Sequence, residues 1–318
     1  MPVLDRILVT GGTGFLGRYV LARLVGQGYR PLSTTFNEKE SLDAAIAADI
    51  DLIGSDLTDP GATRDLVRSY RPEMVIHVAG TTGHNDPTGE RCRQINYEAT
   101  VNLLDALSDS AVKRVVLIGT AAEYGDQPIP FNENMEPRPL SHYAASKMKA
   151  NEYALRMHTD PGLPVIILRV FTAFGYGQPR KMFLSQLITH GLLNKQFMMS
   201  DGLQKRDLVS IEDVTTAILS SLTAEKAVGR VINIGSGHGV PLRDVAEAVW
   251  KACGAEKSLL EIGAVEKTGD AAFDTEADIS LAREILDWSP AQQILDGTEP
   301  GDALLDTIAR MKRDLRSA

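Results

Sequence analysis

Apolar residues in the first half of the chain form short blocks that alternate with segments of helical periodicity. The short, largely apolar blocks that we expect to be β-strands are 6–10, 31–36, 51–53, 74–78, 114–119 and 165–170. The segments with apolar residues every three or four positions, as in amphipathic helices, are 15–26, 60–70, 94–108 and 143–158. This alternation predicts parallel strands joined by right-handed helical crossovers.

Two of the predicted strands indicate how the sheet is covered. The blocks 115–119 (VVLIG) and 165–169 (VIILR) do not alternate apolar with polar residues. Strands of this composition are buried under helices on both faces of the sheet. The expected fold class is therefore α/β, a Rossmann-type doubly wound parallel sheet whose ligand lies beyond the carboxyl ends of the strands.

The second half of the chain has shorter segments. The run GYGQPRKMF, which starts at Gly175, is typical of a loop, and a strand and three helices are expected at 231–234, 242–253, 279–286 and 302–315. We expect residues 1–174 to form the Rossmann domain, with return segments near 205–235. Residues 175–318 are expected to form a smaller, interleaved substrate-binding lid.

Composition disfavours several classes of partner. The formal net charge of −9 at pH 7 disfavours binding to nucleic acid and to anionic membranes. The two cysteines, Cys92 and Cys253, form no metal-binding pattern and are expected to be reduced thiols. The N-terminus lacks a signal-peptide pattern, and no apolar run approaches the roughly 18 residues of a membrane span. We therefore expect neither a metal nor a nucleic-acid nor a membrane partner.

A glycine-rich turn, TGGTGFLG at residues 10–17, follows the first strand and opens the first helix. This glycine spacing is typical of dinucleotide-binding loops, in which the backbone turns tightly, approaches a pyrophosphate and packs helix against strand. The free N–H groups and the dipole of the helix N-terminus favour the phosphates. The residues expected to contact the cofactor here are Gly11, Thr13, Gly14, Phe15 and Leu16.

The ends of the next three strands are expected to complete the cofactor site. Thr35 stands where NAD-binding proteins carry an Asp or Glu for the ribose hydroxyls, so NADP is favoured over NAD. Asp56, with Leu57 beside it, is expected to accept a hydrogen bond from the adenine amino group, although an ordinary turn aspartate is the alternative. Ala79 and Gly80, at the end of the fourth strand, are also assigned to the cofactor.

Three residues are candidates for catalysis. Tyr143 and Lys147 are four positions apart, on one face of a helix. The ammonium is expected to lower the pKa of the phenol, which then gives a proton to a carbonyl oxygen or takes one from an alcohol. Thr120 ends the fifth strand, and its hydroxyl is expected to bind the same substrate oxygen. Lys147 is also expected to hold the nicotinamide ribose.

These motifs together resemble the extended short-chain dehydrogenase/reductase family, which contains sugar-nucleotide epimerases, dehydratases and reductases. The resemblance covers nearly the whole chain, and its remaining motifs are VIHVAG, NYEATVNLLDA, LRVFTAFGYGQP, KRDLVSIEDV and TGD. It implies a Rossmann body, NAD or NADP as cofactor and a cytoplasmic location. It also implies a homodimer formed through the helices near 94–108 and 143–158.

The two residues after Thr120 bear on the reaction. The 4,6-dehydratases of this family carry an acidic pair there, which eliminates water across C5 and C6. This chain has Ala121 and Ala122, which cannot move protons. Glu123 is expected to be one position too far along, on a different side of an extended backbone. The dehydratase reaction is therefore disfavoured, which leaves oxidation or reduction at one carbon.

The resemblance also assigns residues to the substrate. Arg206 matches the family arginine that binds a nucleotide diphosphate, with a surface salt bridge as the alternative. Lys267 stands where the family usually has an arginine, and Thr172 stands where many members carry a substrate-binding Asn. The other residues expected to line the pocket are Thr81, Thr82, Ala121 and Ala122.

The first functional expectation is the reduction of a 4-keto-6-deoxy nucleotide sugar by NADPH, with the proton from Tyr143. The alternative is a sugar-nucleotide 4-epimerase, which holds NAD tightly and passes the hydride out and back. A 4,6-dehydratase, a reductase of a non-sugar ketone and a non-catalytic nucleotide-binding scaffold are less favoured. The base, the sugar and the stereochemistry stay open.

Overall fold

The computed structural model describes residues 6–36, 47–83, 86–266 and 273–317. Its strands in chain order are β1 Ile7–Thr10, β2 Leu32–Thr35, β3 Asp51–Gly54, β4 Met74–His77, β5 Arg114–Thr120, β6 Val165–Val170, β7 Thr172–Phe174, β8 Phe197–Met199, β9 Lys205–Ser210, β10 Val231–Ile234, β11 Gly239–Pro241, β12 Leu260–Ile262, β13 Leu295–Asp296 and β14 Glu299–Pro300. Its longer helices are α1 Phe15–Gly26, α2 Pro60–Tyr70, α3 Ala99–Leu107, α4 His142–Thr159, α5 Phe183–Leu192, α6 Ile211–Thr223, α7 Leu242–Cys253, α8 Ser280–Leu286 and α9 Asp302–Ser317.

The main sheet has seven parallel strands in the order β10-β6-β5-β4-β1-β2-β3. The chain runs outward from β1 to β3 and then returns to β4 on the other side of β1. The strand order therefore reverses between β1 and β4, and a crevice opens there beyond the carboxyl ends of the strands. The predicted doubly wound Rossmann-type sheet is confirmed.

Two apolar clusters cover the two faces of this sheet. Helices α1, α6 and α8 pack on one face, and α2, α3 and α4 pack on the other. Ile7 and Val9 contact the first cluster and Leu8 contacts the second, because successive side chains of a strand point to opposite faces. Burial on both faces explains why these strands read as continuous apolar runs.

Smaller sheets and helices follow in the C-terminal part of the chain. The small sheets have the strand orders β11-β9-β7, β12-β8 and β13-β14. With α5, α7 and α9 they enclose a third apolar cluster, which is separate from the two that cover the main sheet. Most predicted elements agree with the observed ones within two residues. The strands of two or three residues were not predicted, because such short segments carry too little periodicity. Helices α5 and α6 and strand β9 are long enough to be recognised and were missed.

One predicted helix begins earlier than expected. The segment predicted at 94–108 starts with a helical turn at Glu90–Cys92, continues as a π-helix at Arg93–Glu98 and ends as α3. A π-helical stretch rotates the following side chains relative to a regular helix, and such stretches are frequent at functional sites. Within the described part of the chain, no helix combines the length and the apolar character needed to cross a membrane.

A buried aspartate joins β9 to the end of β10 and to the segment near residue 277. Asp207 is completely buried, and its carboxylate accepts the N–H groups of Ser236 at 2.6 Å, Gly237 at 3.0 Å and Ala277 at 3.0 Å. Asp207→Ala leaves three buried donors without their acceptor. We therefore expect urea denaturation to show a loss of about 3 kcal/mol or more in the free energy of unfolding.

The matched control for this prediction is Asp274→Ala. Asp274 is exposed and accepts one N–H group, that of Lys205 at 2.8 Å, so water replaces the lost acceptor. We expect a loss below about 1 kcal/mol. Equal losses in the two variants contradict the structural role assigned to Asp207.

Candidate active site

The glycine-rich turn between β1 and α1 packs so closely against neighbouring backbone that side chains do not fit at two of its glycines. Gly11 has φ +69°, and a Cβ there would lie 2.7 Å from the Cα of Ala79. A Cβ on Gly17 would lie 2.2 Å from the carbonyl oxygen of Gly11. Gly14 is the N-cap of α1, and no side chain caps the helix. The first N–H groups of α1 thus have no side-chain acceptor, an arrangement that fits a pyrophosphate.

Other residues assigned to the cofactor lie next to this turn. The hydroxyl oxygens of Thr13 and Thr35 lie 3.2 Å apart, and both side chains are buried. Phe15 packs edge-on against Tyr19, with ring centroids 6.0 Å apart, and Leu16 is half-buried beside the core. A direct contact of Thr35 with the ribose stays a prediction, since its hydroxyl is engaged with Thr13.

Asp56 forms a turn at the end of β3. Its Oδ1 accepts the backbone N–H of Thr58 at 2.9 Å and the Thr58 hydroxyl at 2.7 Å. The turn that we considered as the alternative is therefore present. The carboxylate is exposed, so an adenine contact through it stays a prediction, as does one from the buried Leu57.

The end of β4 lies against the catalytic candidates. A Cβ on Gly80 would lie 3.3 Å from the Lys147 ammonium nitrogen. Asn96, in the π-helix, is completely buried, accepts the backbone N–H of Thr81 at 2.8 Å and donates to its carbonyl at 2.9 Å. Asn96 is not among the site residues predicted from the sequence. The signal for it is its place as the first residue of NYEATVNLLDA, one of the motifs of the family resemblance.

A buried histidine supports the same edge of the sheet. His77 lies between the hydroxyls of Thr10, 2.7 Å from Nδ1, and Thr100, 2.9 Å from Nε2. Burial, aided by the nearby charge of Lys147, lowers the pKa of His77 to about 3. The imidazole is therefore neutral at physiological pH. The Ala79 N–H also donates to the Thr10 hydroxyl, at 3.2 Å, which ties the two strand ends together.

Lys147 lies one turn after Tyr143 on α4, which starts with Ser141 as its N-cap. Its side chain is 8 % exposed, and Nζ donates to the carbonyl of Ile118 at 2.8 Å. Burial lowers the pKa of Lys147 to about 8, although the negative charge of Glu123 opposes this shift. The ammonium therefore loses its proton just above neutral pH.

The Tyr143 phenol lies near the Thr120 side chain at the end of β5. Burial raises the pKa of Tyr143, and the influence of the Thr120 side chain only partly offsets this rise, while the charge of Glu123 adds to it. The expectation that Lys147 lowers this pKa is thus wrong in the structure, because burial of the phenol outweighs the other influences. The phenol is consequently protonated at neutral pH and is set to donate a hydrogen bond or a proton.

The segment after Thr120 is a 3₁₀-helix, Ala121–Tyr124, and this corrects the expectation of an extended backbone. Ala121 is buried and Ala122 is half-buried, so no acidic group stands directly after Thr120. The turn carries Glu123 into the protein interior, where it is completely buried. The Thr-x-x-Glu spacing of a capping box was the sequence signal for this geometry, and the structure contains that box.

The residues assigned to the substrate lie in two places. Thr81 and Thr82 follow β4, whereas Thr172 and Arg206 lie on β7 and β9, neighbouring strands of a small sheet. The Arg206 guanidinium donates to the carbonyls of Lys205, at 2.8 Å, and Phe273. Lys267 lies outside the described residues. The substrate roles of all five stay predictions.

Most of the predicted catalytic and cofactor residues are thus brought to one edge of the sheet. Thr120, Tyr143, Lys147 and Gly80 meet at the carboxyl ends of β4 and β5, beside the glycine turn of β1. Ligands of doubly wound sheets bind at this edge. A hydroxyl, a phenol and an ammonium gathered there suit proton and hydride transfer at one carbon of a bound molecule.

A cavity of about 460 Å³ lies elsewhere in the protein. It is lined by residues from the ends of α1 and α6 and by Met74, the first residue of β4. It therefore opens at the amino ends of the strands, and none of the predicted site residues lines it. We assign the reaction to the opposite edge, where the reactive side chains are.

Comparisons with known proteins agree with this assignment. The chain is 28% identical over 301 residues to dTDP-6-deoxy-L-talose 4-dehydrogenase (NAD(P)(+)) of Kitasatospora kifunensis, which covers 91% of this chain and 92% of that one. It is 28% identical over 306 residues to UDP-glucuronate 4-epimerase of Thermodesulfobacterium geofontis, covering 91% and 93%. The solved structure of MoeE5 in complex with UDP-glucuronic acid and NAD is 26% identical, with a TM-score of 0.84 and coverage of 97% and 99%.

A family match decides the assignment. The match to the NAD dependent epimerase/dehydratase family covers residues 7–235, well over half of the chain. The expected Rossmann-type fold, the use of NAD or NADP and an enzymatic activity are thereby confirmed. The chain belongs to the NAD dependent epimerase/dehydratase family, as its resemblance to extended short-chain dehydrogenases/reductases predicted.

Proposed function

We propose that the chain is a nucleotide-sugar 4-epimerase that keeps NAD bound and inverts the configuration of a sugar at C4. The gathering of Thr120, Tyr143 and the buried Lys147 at the carboxyl ends of the central strands carries this proposal. The relatives support it over the 4-keto reductase, our first expectation, because most of them are 4-epimerases. Ala121 and Ala122 still disfavour the dehydratase, since neither can accept a proton.

The described residues fit a dinucleotide. The backbone of Gly11 and Gly14 and the first turn of α1 would hold the pyrophosphate. Gly80 would let the cofactor approach Lys147, whose ammonium is placed to bind a ribose hydroxyl. When bound, the nicotinamide takes up and returns a hydride, and its positive charge in the oxidised form favours the phenolate of the nearby tyrosine.

The protein's own groups then handle the proton. Tyr143 takes the proton of the C4 hydroxyl as the C4 hydrogen leaves, and it returns the proton to the carbonyl oxygen when the hydrogen comes back. The Thr120 hydroxyl binds the same oxygen and orients it toward the phenol. Inversion requires the sugar to present its opposite face between the two half-reactions. Arg206 and Lys267 are proposed to hold the diphosphate meanwhile, with Thr172, Thr81 and Thr82 around the sugar.

The runner-up is the reduction of a 4-keto-6-deoxy nucleotide sugar by NADPH. Two observations favour it: Thr35 replaces the acid that would repel a 2′-phosphate, and one relative is a dTDP-6-deoxy-L-talose 4-dehydrogenase. A reductase consumes its cofactor, whereas an epimerase regenerates it in every turnover.

Cofactor content separates the two reactions. We expect NAD to be released when the purified protein is denatured in acid, in a ratio near one per chain. Incubation with UDP- and dTDP-sugars, without added cofactor, should then yield the C4 epimer. Purified protein that contains no cofactor, and that oxidises NADPH stoichiometrically with a 4-keto sugar nucleotide, supports the reductase instead.

Three further features belong to this proposal. Residues 1–174, with returns near 205–235, are assigned to the cofactor, and residues 175–318 to the nucleotide sugar. We also place the protein in the cytoplasm as a homodimer through the helices near 94–108 and 143–158. Sedimentation equilibrium tests the dimer, which requires about twice the chain mass of 34.5 kDa.

A further inference from the structure

A completely buried carboxylate lies directly behind the catalytic candidates. Glu123 Oε1 accepts the Thr120 N–H at 2.9 Å and Asn151 Nδ2 at 2.7 Å, while Oε2 accepts Arg169 Nε at 3.0 Å. Burying an ion pair is costly unless its hydrogen bonds are all made. Here the carboxylate has three donors from three elements: the end of β5, helix α4 and strand β6.

This carboxylate and Lys147 fix the same short piece of backbone. Lys147 donates to the carbonyl of Ile118, and Glu123 accepts the N–H of Thr120. Gly119, between them, has no space for a side chain: its Cβ would lie 2.9 Å from Glu123 Oε1 and 2.8 Å from Asn151 Nδ2. The position of the Thr120 hydroxyl relative to Tyr143 therefore depends on both contacts.

We propose that Glu123 is a positioning residue for the reaction, because its buried carboxylate fixes the backbone of Thr120 and counters the positive charge of Lys147. It does not touch the reacting atoms itself. The inference rests on the proposed function for its kinetic consequence, but its electrostatic consequence can be measured without any substrate.

The charges around Lys147 define the expected direction of change. The charge of Lys147 acts on His77 of β4, which is neutral, and the Cys92 thiol acts on the Tyr143 phenol, one turn before Lys147 on the same helix. Glu123 contributes the negative charge that raises the pKa of Lys147, and it also raises that of Tyr143. Removing this charge lowers both pKa values, so the ammonium is lost at a lower pH.

Glu123→Gln keeps the shape but removes the charge. One of its two terminal atoms becomes an N–H donor that faces another donor, Arg169 Nε or the Thr120 N–H, so the side chain shifts and its contact with the Thr120 backbone weakens. We expect kcat to fall by about 10- to 100-fold, because a slightly misplaced Thr120 affects the transition state, while KM for the nucleotide sugar changes little. The decline of activity at high pH should begin at a lower pH. NMR of protein labelled with ¹³C-lysine, assigned by Lys147→Arg, should show Lys147 titrating below its wild-type position.

Tyr124→Phe is the matched control. Tyr124 follows Glu123 in the 3₁₀-helix and is completely buried; its hydroxyl donates to Asn233 at 2.7 Å, and its ring lies 4.7 Å from the Arg169 guanidinium carbon. This variant loses buried polar contacts of the hydroxyl but keeps the ring and every charge, so we expect some loss of stability and an unchanged Lys147 titration. If Glu123→Gln is too unstable to study, the double variant with Arg169→Gln leaves no unpaired guanidinium and still lacks the carboxylate.

Two results overturn the proposal: a Lys147 titration that is unmoved in Glu123→Gln, or kcat and KM equal to those of Tyr124→Phe. The NMR result stands even if the wild-type protein acts on no nucleotide sugar. A failure of the proposed function is thereby distinguishable from a failure of this inference.

Discussion

Tyr143→Phe is expected to lower kcat by about 10²- to 10⁴-fold, the usual contribution of a positioned acid–base group. The variant removes only the hydroxyl near Thr120, while the half-buried ring keeps its packing. No other described hydroxyl of the site combines this position with a phenol's ability to exchange a proton. The purified variant should still release NAD in acid in the same ratio as the wild type, which separates lost chemistry from lost binding.

Tyr153→Phe is the control for this prediction. Tyr153 lies on the same helix α4, but its hydroxyl contacts Asp105 rather than a residue of the site. We expect its kcat to stay within about twofold of the wild type, because the lost hydroxyl takes no part in the proton transfer. If Tyr143→Phe retains wild-type activity, Tyr143 is not the proton donor and the proposed reaction loses its basis.

Gly11→Ala is expected to abolish cofactor binding. At φ +69° an alanine is strained by about 1–3 kcal/mol, and its Cβ would overlap the Ala79 backbone at 2.7 Å. Because backbone cannot rotate out of the way as a side chain does, the turn itself must shift. No NAD should remain with the purified variant, and its melting temperature should fall because the stabilisation by bound cofactor is lost.

Gly28→Ala is the control that separates backbone strain at positive φ from steric overlap of the new Cβ. Gly28 also has positive φ, +87°, but a Cβ there would meet no atom within 4 Å. We expect a loss of stability of about 1 kcal/mol with cofactor binding retained. Equal effects on NAD binding in the two variants contradict the close approach of the turn to Ala79 as the cause.

The sequence alone predicted the strands of the main sheet and the edge of the sheet at which the catalytic candidates lie. Strands β5 and β6 are long enough, and buried on both faces, so their apolar runs identify them directly. The glycine spacing and the pair Tyr143 and Lys147 are patterns of residues close together in sequence. Such patterns can be recognised without knowing the tertiary structure. These features needed no knowledge of which distant residues come together.

The remainder depended on tertiary contacts. The raised pKa of Tyr143 follows from burial, which the i, i+4 spacing to Lys147 does not contain. Glu123 is buried because residues 121–124 form a 3₁₀-helix instead of an extended chain. The capping-box spacing between Thr120 and Glu123 was the only sign of this helix in the sequence. The part played by Asn96 depends on a π-helix, for which a regular helical period gives no signal.

The most direct test of the account follows the hydrogen at C4. Purified protein without added cofactor is mixed with UDP- and dTDP-sugars that carry deuterium at C4, and the products are analysed by NMR. The account predicts C4-inverted sugar nucleotide that retains the deuterium at C4 in the wild type, and none with Tyr143→Phe. If deuterium is lost to solvent during inversion, or if Tyr143→Phe inverts the sugar at the wild-type rate, the account is contradicted.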